Sequence, residues 1–126
     1  MLTDGKNSIS VVAALAPAAV TATATGPGVD TGGAGTVAFI LNPGVRTDGT
    51  HTPKLQESAD NSTFTDVATG DQLGLWAVVA SNTLQTVGYV GRLRYVRLVL
   101  TVASATTGAV VGATCELSGL RKQVGP

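Results

Sequence analysis

The chain has 126 residues, a length that fits one domain with its own hydrophobic core. Its eight basic and eight acidic residues cancel to zero net charge, which argues against nucleic-acid binding because phosphates need a basic surface. Hydrophobic residues make up 44% but charged residues only 13%, about half the usual share for a soluble domain. Such weak self-repulsion favours a subunit that works inside an assembly.

The first third of the chain predicts strands and a Gly-rich connection. Residues 8–15 and 19–26 are candidate strands separated by Pro17; in the second, the apolar Val20 alternates with threonines, the period of a half-buried strand. The alanines of residues 11–20 also fit a helix, but Pro17 and the valine pairs favour strands. We therefore predict that residues 1–35 form an extended N-terminal arm with the first strands, and that residues 36–126 form the body of one domain.

The middle of the chain predicts a strand at 36–42, a turn region at 43–51 and then a hairpin. The hairpin strands are residues 53–58 and 63–67, joined by a polar turn in which Asp60 and Asn61 tolerate left-handed backbone geometry. Phe64 is interpreted as an anchor in the core.

The rest of the chain completes an all-β fold. Residues 68–82 are less regular, 83–91 and 92–104 are expected to pair with each other, and 109–120 is the closing strand. In the second of that pair, Val96, Leu98 and Leu100 mark the core face. About seven or eight strands with no internal repeat predict a single antiparallel β-sandwich of jelly-roll type.

The residue types that carry catalysis and metal binding are sparse. No nucleophile elbow, phosphate-binding loop or paired histidine motif occurs, so we expect no enzyme activity, no cofactor and no metal. The lone Cys115 is expected to be a small buried hydrophobe, and the lone His51 a solvated loop residue. Asp60 and Asp66 could meet across the hairpin and bind calcium, although carboxylates that only shape a turn are commoner.

The start of the chain and its apolar runs bear on where the protein is located. Lys6 before an apolar stretch has a superficial likeness to a secretory signal, but Asp4 and Pro17 argue against one. No uninterrupted apolar run is long enough to span a membrane.

Trp76, the only tryptophan, is interpreted as a core or subunit-interface residue, with a sugar-stacking platform as the alternative.

The hairpin and the last strands resemble discoidin-type sandwich domains of coagulation factors and carbohydrate-binding modules. The likeness rests on "KLQESADNSTFTDV", "GRLRYVRLVL" and the terminal "CELSGL". This chain departs from that pattern because Phe64 stands where those domains have Trp, and because the clamping cysteine pair is absent. The resemblance implies a sandwich more than it implies a ligand.

Over residues 36–120 the layout is similar to small structural proteins from the virion gene clusters of tailed bacteriophages. The segments that carry this resemblance are "TPKLQESADNSTFTDV", "VGYVGRLRYVRLVLT" and a Gly/Ala/Thr-rich end. This resemblance implies a capsid-associated, decoration or other auxiliary particle protein, and the preferred hypothesis is a capsid decoration protein on the particle surface, made in the bacterial cytoplasm. Its partners would be the major capsid protein and copies of itself, as a homotrimer.

The arm would add a strand to a neighbouring sheet edge. Candidate partner-contact residues are Val11, Val12, Val20, Thr21, Thr23 and Trp76. The alternative is a carbohydrate- or receptor-binding module of a tail or head fibre. It would bind a host glycan through Trp76, His51 and the 58–63 turn.

Overall fold

The computed structural model describes residues 5–119 of the chain. This range contains ten β-strands and one short 3-10 helix. The predicted start of the arm, residues 1–4, and residues 120–126 of the predicted body lie outside this range. The elements are β1 (Ile9–Val20), β2 (Ala24–Thr25), β3 (Val29–Asp30), β4 (Thr36–Arg46), β5 (Thr50–Ser58), β6 (Thr65–Asp66), the 3-10 helix (Thr69–Asp71), β7 (Gln72–Leu73), β8 (Gln85–Tyr89), β9 (Tyr95–Ala103) and β10 (Ala109–Ser118).

The strands form two antiparallel sheets that pack face to face. The first sheet has the order β1-β10-β4-β8-β7, and the second has β2-β9-β5-β6, with β3 also paired to β9. Strands from the start of the chain pair with strands from its end: β1 with β10, β2 and β3 with β9, β4 with β8, and β5 with β6. This nested pairing, in which the first strands of the chain pair with the last and the middle strands pair with each other, is the topology of a jelly roll. The predicted all-β antiparallel sandwich is therefore confirmed.

The hydrophobic core lies between the two sheets and consists mainly of aliphatic side chains. Phe39, Leu41 and Leu55 are fully buried, and so are the residues predicted for the inner face of β9: Val96, Leu98 and Leu100. Cys115 is also fully buried, as expected, and burial raises the pKa of its thiol to about 12. None of the described helices is long and apolar enough to cross a membrane.

The N-terminal segment differs from the predicted arm. Residues 9–20 form one continuous strand that pairs with β10 of the same chain, so they are part of this chain's own sandwich. Pro17 does not end the strand because β1 lies at the sheet edge, where a missing amide hydrogen is tolerated. The ladder instead shifts register between Ala13 and Leu15 and again between Leu15 and Ala18, which absorbs the proline.

Two other predictions about connections were wrong. Residues 43–46 continue β4 as a strand, so the turn before β5 is confined to residues 47–49. The segments 83–91 and 92–104 do not pair with each other, because β8 joins β4 in the first sheet and β9 joins β5 in the second. The predicted hairpin does form, through the pairs Gln56–Asp66 and Glu57–Thr65, and Asn61 has the left-handed φ of 60° that its turn requires.

Candidate functional site: the outer face of the first sheet

The outer face of the first sheet carries almost no charge. Strand register and burial place an alternating set of side chains on it, which we call the first-sheet face. It consists of Ile9, Val11, Ala13, Ala38, Ile40, Asn42, Leu73, Thr86, Gly88, Val110, Gly112, Thr114 and Glu116. Glu116 is the only charged member of this set.

Several apolar members of the first-sheet face are open to solvent. Val11 is 57% exposed, Val110 is 49% exposed and Leu73 is 64% exposed. Leu75 and Leu84, next to the β7–β8 edge of the same sheet, are also exposed. Apolar side chains that gather on one side of a soluble domain mark a surface that other molecules cover.

A shallow groove of about 280 Å³ crosses the first-sheet face where β1 bends around Pro17. Its lining includes Ala13, Pro17, Ile40 and Val110, all apolar, together with Thr114. Pro17 lies directly over Gly112, since a Cβ added to Gly112 would be 3.0 Å from the proline Cγ. The bulged half of β1 therefore shapes the surface, and any larger residue at position 112 would push it outward.

The outer face of the second sheet has the opposite character, because it carries charged side chains that contact charged, polar or aromatic neighbours. Lys54 Nζ lies 3.1 Å from Asp66 Oδ1, and the Gln56 amide donates to the same oxygen at 2.9 Å. These two partners, Gln56 first, lower the pKa of Asp66. Arg97 donates from Nε to Gln56 Oε1 at 2.9 Å and stacks 4.0 Å above the centre of the Phe64 ring.

A second ion pair extends this polar face toward β3. Arg94 donates two hydrogen bonds to the carboxylate of Asp30, each 2.8 Å long, and its guanidinium lies 5.3 Å from the centre of the Tyr95 ring. Phe64 is half-buried beneath Arg97 and is not the core anchor that was predicted. The second-sheet face is thus suited to contact with water, and the first-sheet face to contact with another surface.

The structure separates the predicted partner-contact residues into three groups. Val11 lies on the first-sheet face, while Val12 packs inward against the core and Val20 is buried. Thr21 and Thr23 are exposed in the turn after β1, although the Thr23 hydroxyl oxygen accepts a hydrogen bond from the Val102 amide. A role in partner contact therefore suits Val11, Thr21 and Thr23 by exposure, but not Val12 or Val20.

Trp76 is half-buried and packs against the core, so its ring does not stand free as a platform. His51 differs from its prediction as a solvated loop residue: it is fully buried on β5, and its Nε2 lies 2.9 Å from the carbonyl oxygen of Val20. The expectation failed because the turn-forming residues around His51 report only on its neighbours in the sequence. The burial of its side chain comes from packing against the first sheet, which is distant in the sequence.

The residues of the glycan-binding alternative do not form one site. His51 lies at the start of β5 and the 58–63 turn begins at its end, so seven residue steps along the strand, about 24 Å, separate them. The Val79 amide donates to the His51 carbonyl oxygen at 2.9 Å, so the segment that follows Trp76 lies at the His51 end. A single sugar could not contact all three.

The carboxylates considered for calcium have other partners. Asp60 accepts hydrogen bonds from the Thr63 amide, the Ser58 hydroxyl and the Ser62 amide, and these contacts lower its pKa. Asp66 is held by Lys54 and Gln56, as described above. Among residues 5–119, no group of three or more His, Cys, Asp or Glu side chains is placed to hold a metal ion.

Sequence reasoning missed most of the first-sheet face, including Val110 and Leu73. The available signal was the alternation along 109–118, where Val110, Thr114 and Glu116 interleave with residues of the core. Comparisons with known proteins add no identification, since no protein-family model matches the chain and the curated proteins contain no significant match to it.

Proposed function

We propose that this protein is a bacteriophage virion structural protein, a decoration protein that coats the capsid and stabilises it through subunit–subunit contacts. In this proposal the first-sheet face lies against the major capsid protein or neighbouring copies, as in a homotrimer. The second-sheet face points to the solvent. The observation that carries the proposal is the contrast between these two faces of one sandwich.

The chemistry of the first-sheet face supports docking rather than catalysis. Exposed side chains such as Val11, Val110 and Leu73 lose water when another surface covers them, and each square ångström of apolar area contributes roughly 25 cal/mol. With a single charge, at Glu116, the face buries few ions that would need partners. The phage resemblance of residues 36–120 supplies the partner, and the low overall charge agrees with it.

The rigidity of the sandwich suits a repeated building block. Two five-stranded sheets share one aliphatic core, and the β4–β5 turn is fixed by Asp48, which accepts hydrogen bonds from three successive backbone amides at residues 106–108. A rigid unit loses little conformational entropy on docking. Many individually weak contacts around a closed shell then reinforce one another through avidity.

Copy number in purified particles tests this proposal. Quantitative mass spectrometry of particles of the encoding phage should find this chain in numbers comparable with the major capsid protein. A few copies per particle would place it in a tail or at a vertex and contradict decoration of the shell. Its absence from washed particles would contradict a virion role altogether.

A further inference from the structure

The outer edge of β1 is unpaired in the part of the chain that the structure describes. β1 bonds to β10 on one side only and is the first strand in its sheet. A groove of about 340 Å³ separates Ser10, Val12 and Ala13 of β1 from residues 27–30, which include β3, on the inner side of this edge. An exposed strand edge offers a row of backbone donors and acceptors to another strand.

The two halves of β1 differ in how well they are protected against such pairing. In the second half, Pro17 and two register shifts disrupt the edge. Prolines and β-bulges are common features that prevent edge-to-edge association. In the first half, Ile9–Ala13 pairs with Ser118–Thr114 without any irregularity and carries neither charge nor proline. Within residues 5–119, one regular five-residue stretch of edge therefore stays open.

We infer that this stretch pairs with the same stretch of a second copy, antiparallel and about a two-fold axis at Val11. Symmetry then sets Val11 opposite Val11 of the second copy, and Ile9 opposite Ala13. These residues all belong to the first-sheet face, so the apolar surface becomes continuous across the two molecules. The proposed occupant is a second copy because the stretch complements itself: apolar residues meet apolar residues and no like charges meet.

The charge of Glu116 on the neighbouring strand does not oppose this arrangement. Glu116 sits on β10 beside Val11, so the two copies of Glu116 would be separated by three strand spacings, about 14 Å. That distance exceeds the screening length of about 8 Å at physiological salt. The inner side of the joint would bring Ser10 of one copy opposite Val12 of the other, and Asp30, which lines the groove on this side, is paired with Arg94. A two-fold contact joins two copies, so a trimer would need a different interface.

Cysteine cross-linking tests both the pairing and its register. Residues directly opposite in an antiparallel pair have Cα atoms about 4.5–5.5 Å apart, within the range that a disulfide spans. Val11→Cys alone should oxidise to a disulfide-linked dimer. Ile9→Cys and Ala13→Cys should each remain monomeric alone and link when mixed. Thr114→Cys, exposed on the same face but one strand inward, is the matched control and should not link; the native Cys115 is fully buried.

A second measurement does not rely on oxidation. In sedimentation velocity, the wild-type protein should show a concentration-dependent dimer, which Val11→Lys abolishes by placing two positive charges face to face. Thr114→Lys should retain the dimer. A monomeric wild type, or Val11→Cys that links no faster than Thr114→Cys, would overturn the inference. The inference goes beyond the particle role, and because these assays use purified protein alone, their failure is distinct from failure to bind a shell.

Discussion

His51 Nε2 lies 2.9 Å from the carbonyl oxygen of Val20, and this hydrogen bond joins β5 of the second sheet to the end of β1 in the first. The imidazole is fully buried, and among the described residues its Nδ1 has no hydrogen-bond partner. The bond pins the C-terminal end of the edge strand to the opposite layer. It therefore helps to set the shape of the first-sheet face.

Truncating His51 should destabilise the fold strongly. His51→Ala leaves a cavity and removes the hydrogen bond to the carbonyl oxygen of Val20, which together should lower the free energy of unfolding by about 2–4 kcal/mol. Urea titration followed by the fluorescence of the single Trp76 measures the change. Thr52→Ala, on the adjacent exposed position, is the control and should stay within about 0.5 kcal/mol of wild type. Equal midpoints for the two variants would contradict a structural role for the histidine.

Asp48 should make stability depend on acid pH. Its carboxylate accepts hydrogen bonds from the Gly108 amide at 2.7 Å and from the Thr107 and Thr106 amides at 3.1 Å, and these lower its pKa in the folded state. A lowered folded-state pKa gives stability that is present above the unfolded pKa of about 3.9 and is lost as the pH falls through the folded value.

Asp48→Asn isolates that contribution because it keeps the side-chain shape without the charge. We expect the variant to be less stable than wild type at pH 7, and the gap to shrink below about pH 4 as the wild-type carboxylate takes up a proton. Urea titrations of both proteins from pH 7 to pH 2 measure it. A gap that is constant with pH, or that widens toward acid, would show that the hydrogen bonds do not favour the ionised carboxylate.

Gly26 should tolerate no side chain. It is buried, its amide donates to the Leu98 carbonyl oxygen at 2.8 Å, and a Cβ there would overlap the carbonyl oxygen of Ala14 on β1. Gly26→Ala should therefore cost about 1–3 kcal/mol through displacement of backbone. Gly70→Ala is the matched control, since a Cβ at position 70 meets nothing within 4 Å. Similar stability of both variants in urea would refute the close approach of residue 26 to β1.

The sequence carried enough information for the sandwich but not for its long-range pairing. The inner face of β9 and the 53–67 hairpin were predictable, because strand periodicity and turn residues act locally. The placement of β8 and β9 in different sheets was not, since each finds its partner many residues away. The burial of His51 and the continuation of β1 through Pro17 depend on the same distant contacts.

The candidate site was predictable only in part, for a related reason. Val11 could be selected as an exposed apolar residue of a strand, but Val12 and Val20 could not be told apart from it before the register with β10 was known. A shift of one residue in that register exchanges the two faces of the strand. The contrast between the two outer faces appears only when the strands are assembled.

Binding of purified protein to shells that lack it tests the central claim most directly. Val110→Lys places a charge on the first-sheet face, and Thr101→Lys places the same charge on an exposed position of the second sheet. We predict that wild type and Thr101→Lys decorate the shells to the same occupancy, and that Val110→Lys loses most of the binding although it remains folded. Equal binding by both variants, or binding lost only in Thr101→Lys, would contradict docking through the first-sheet face.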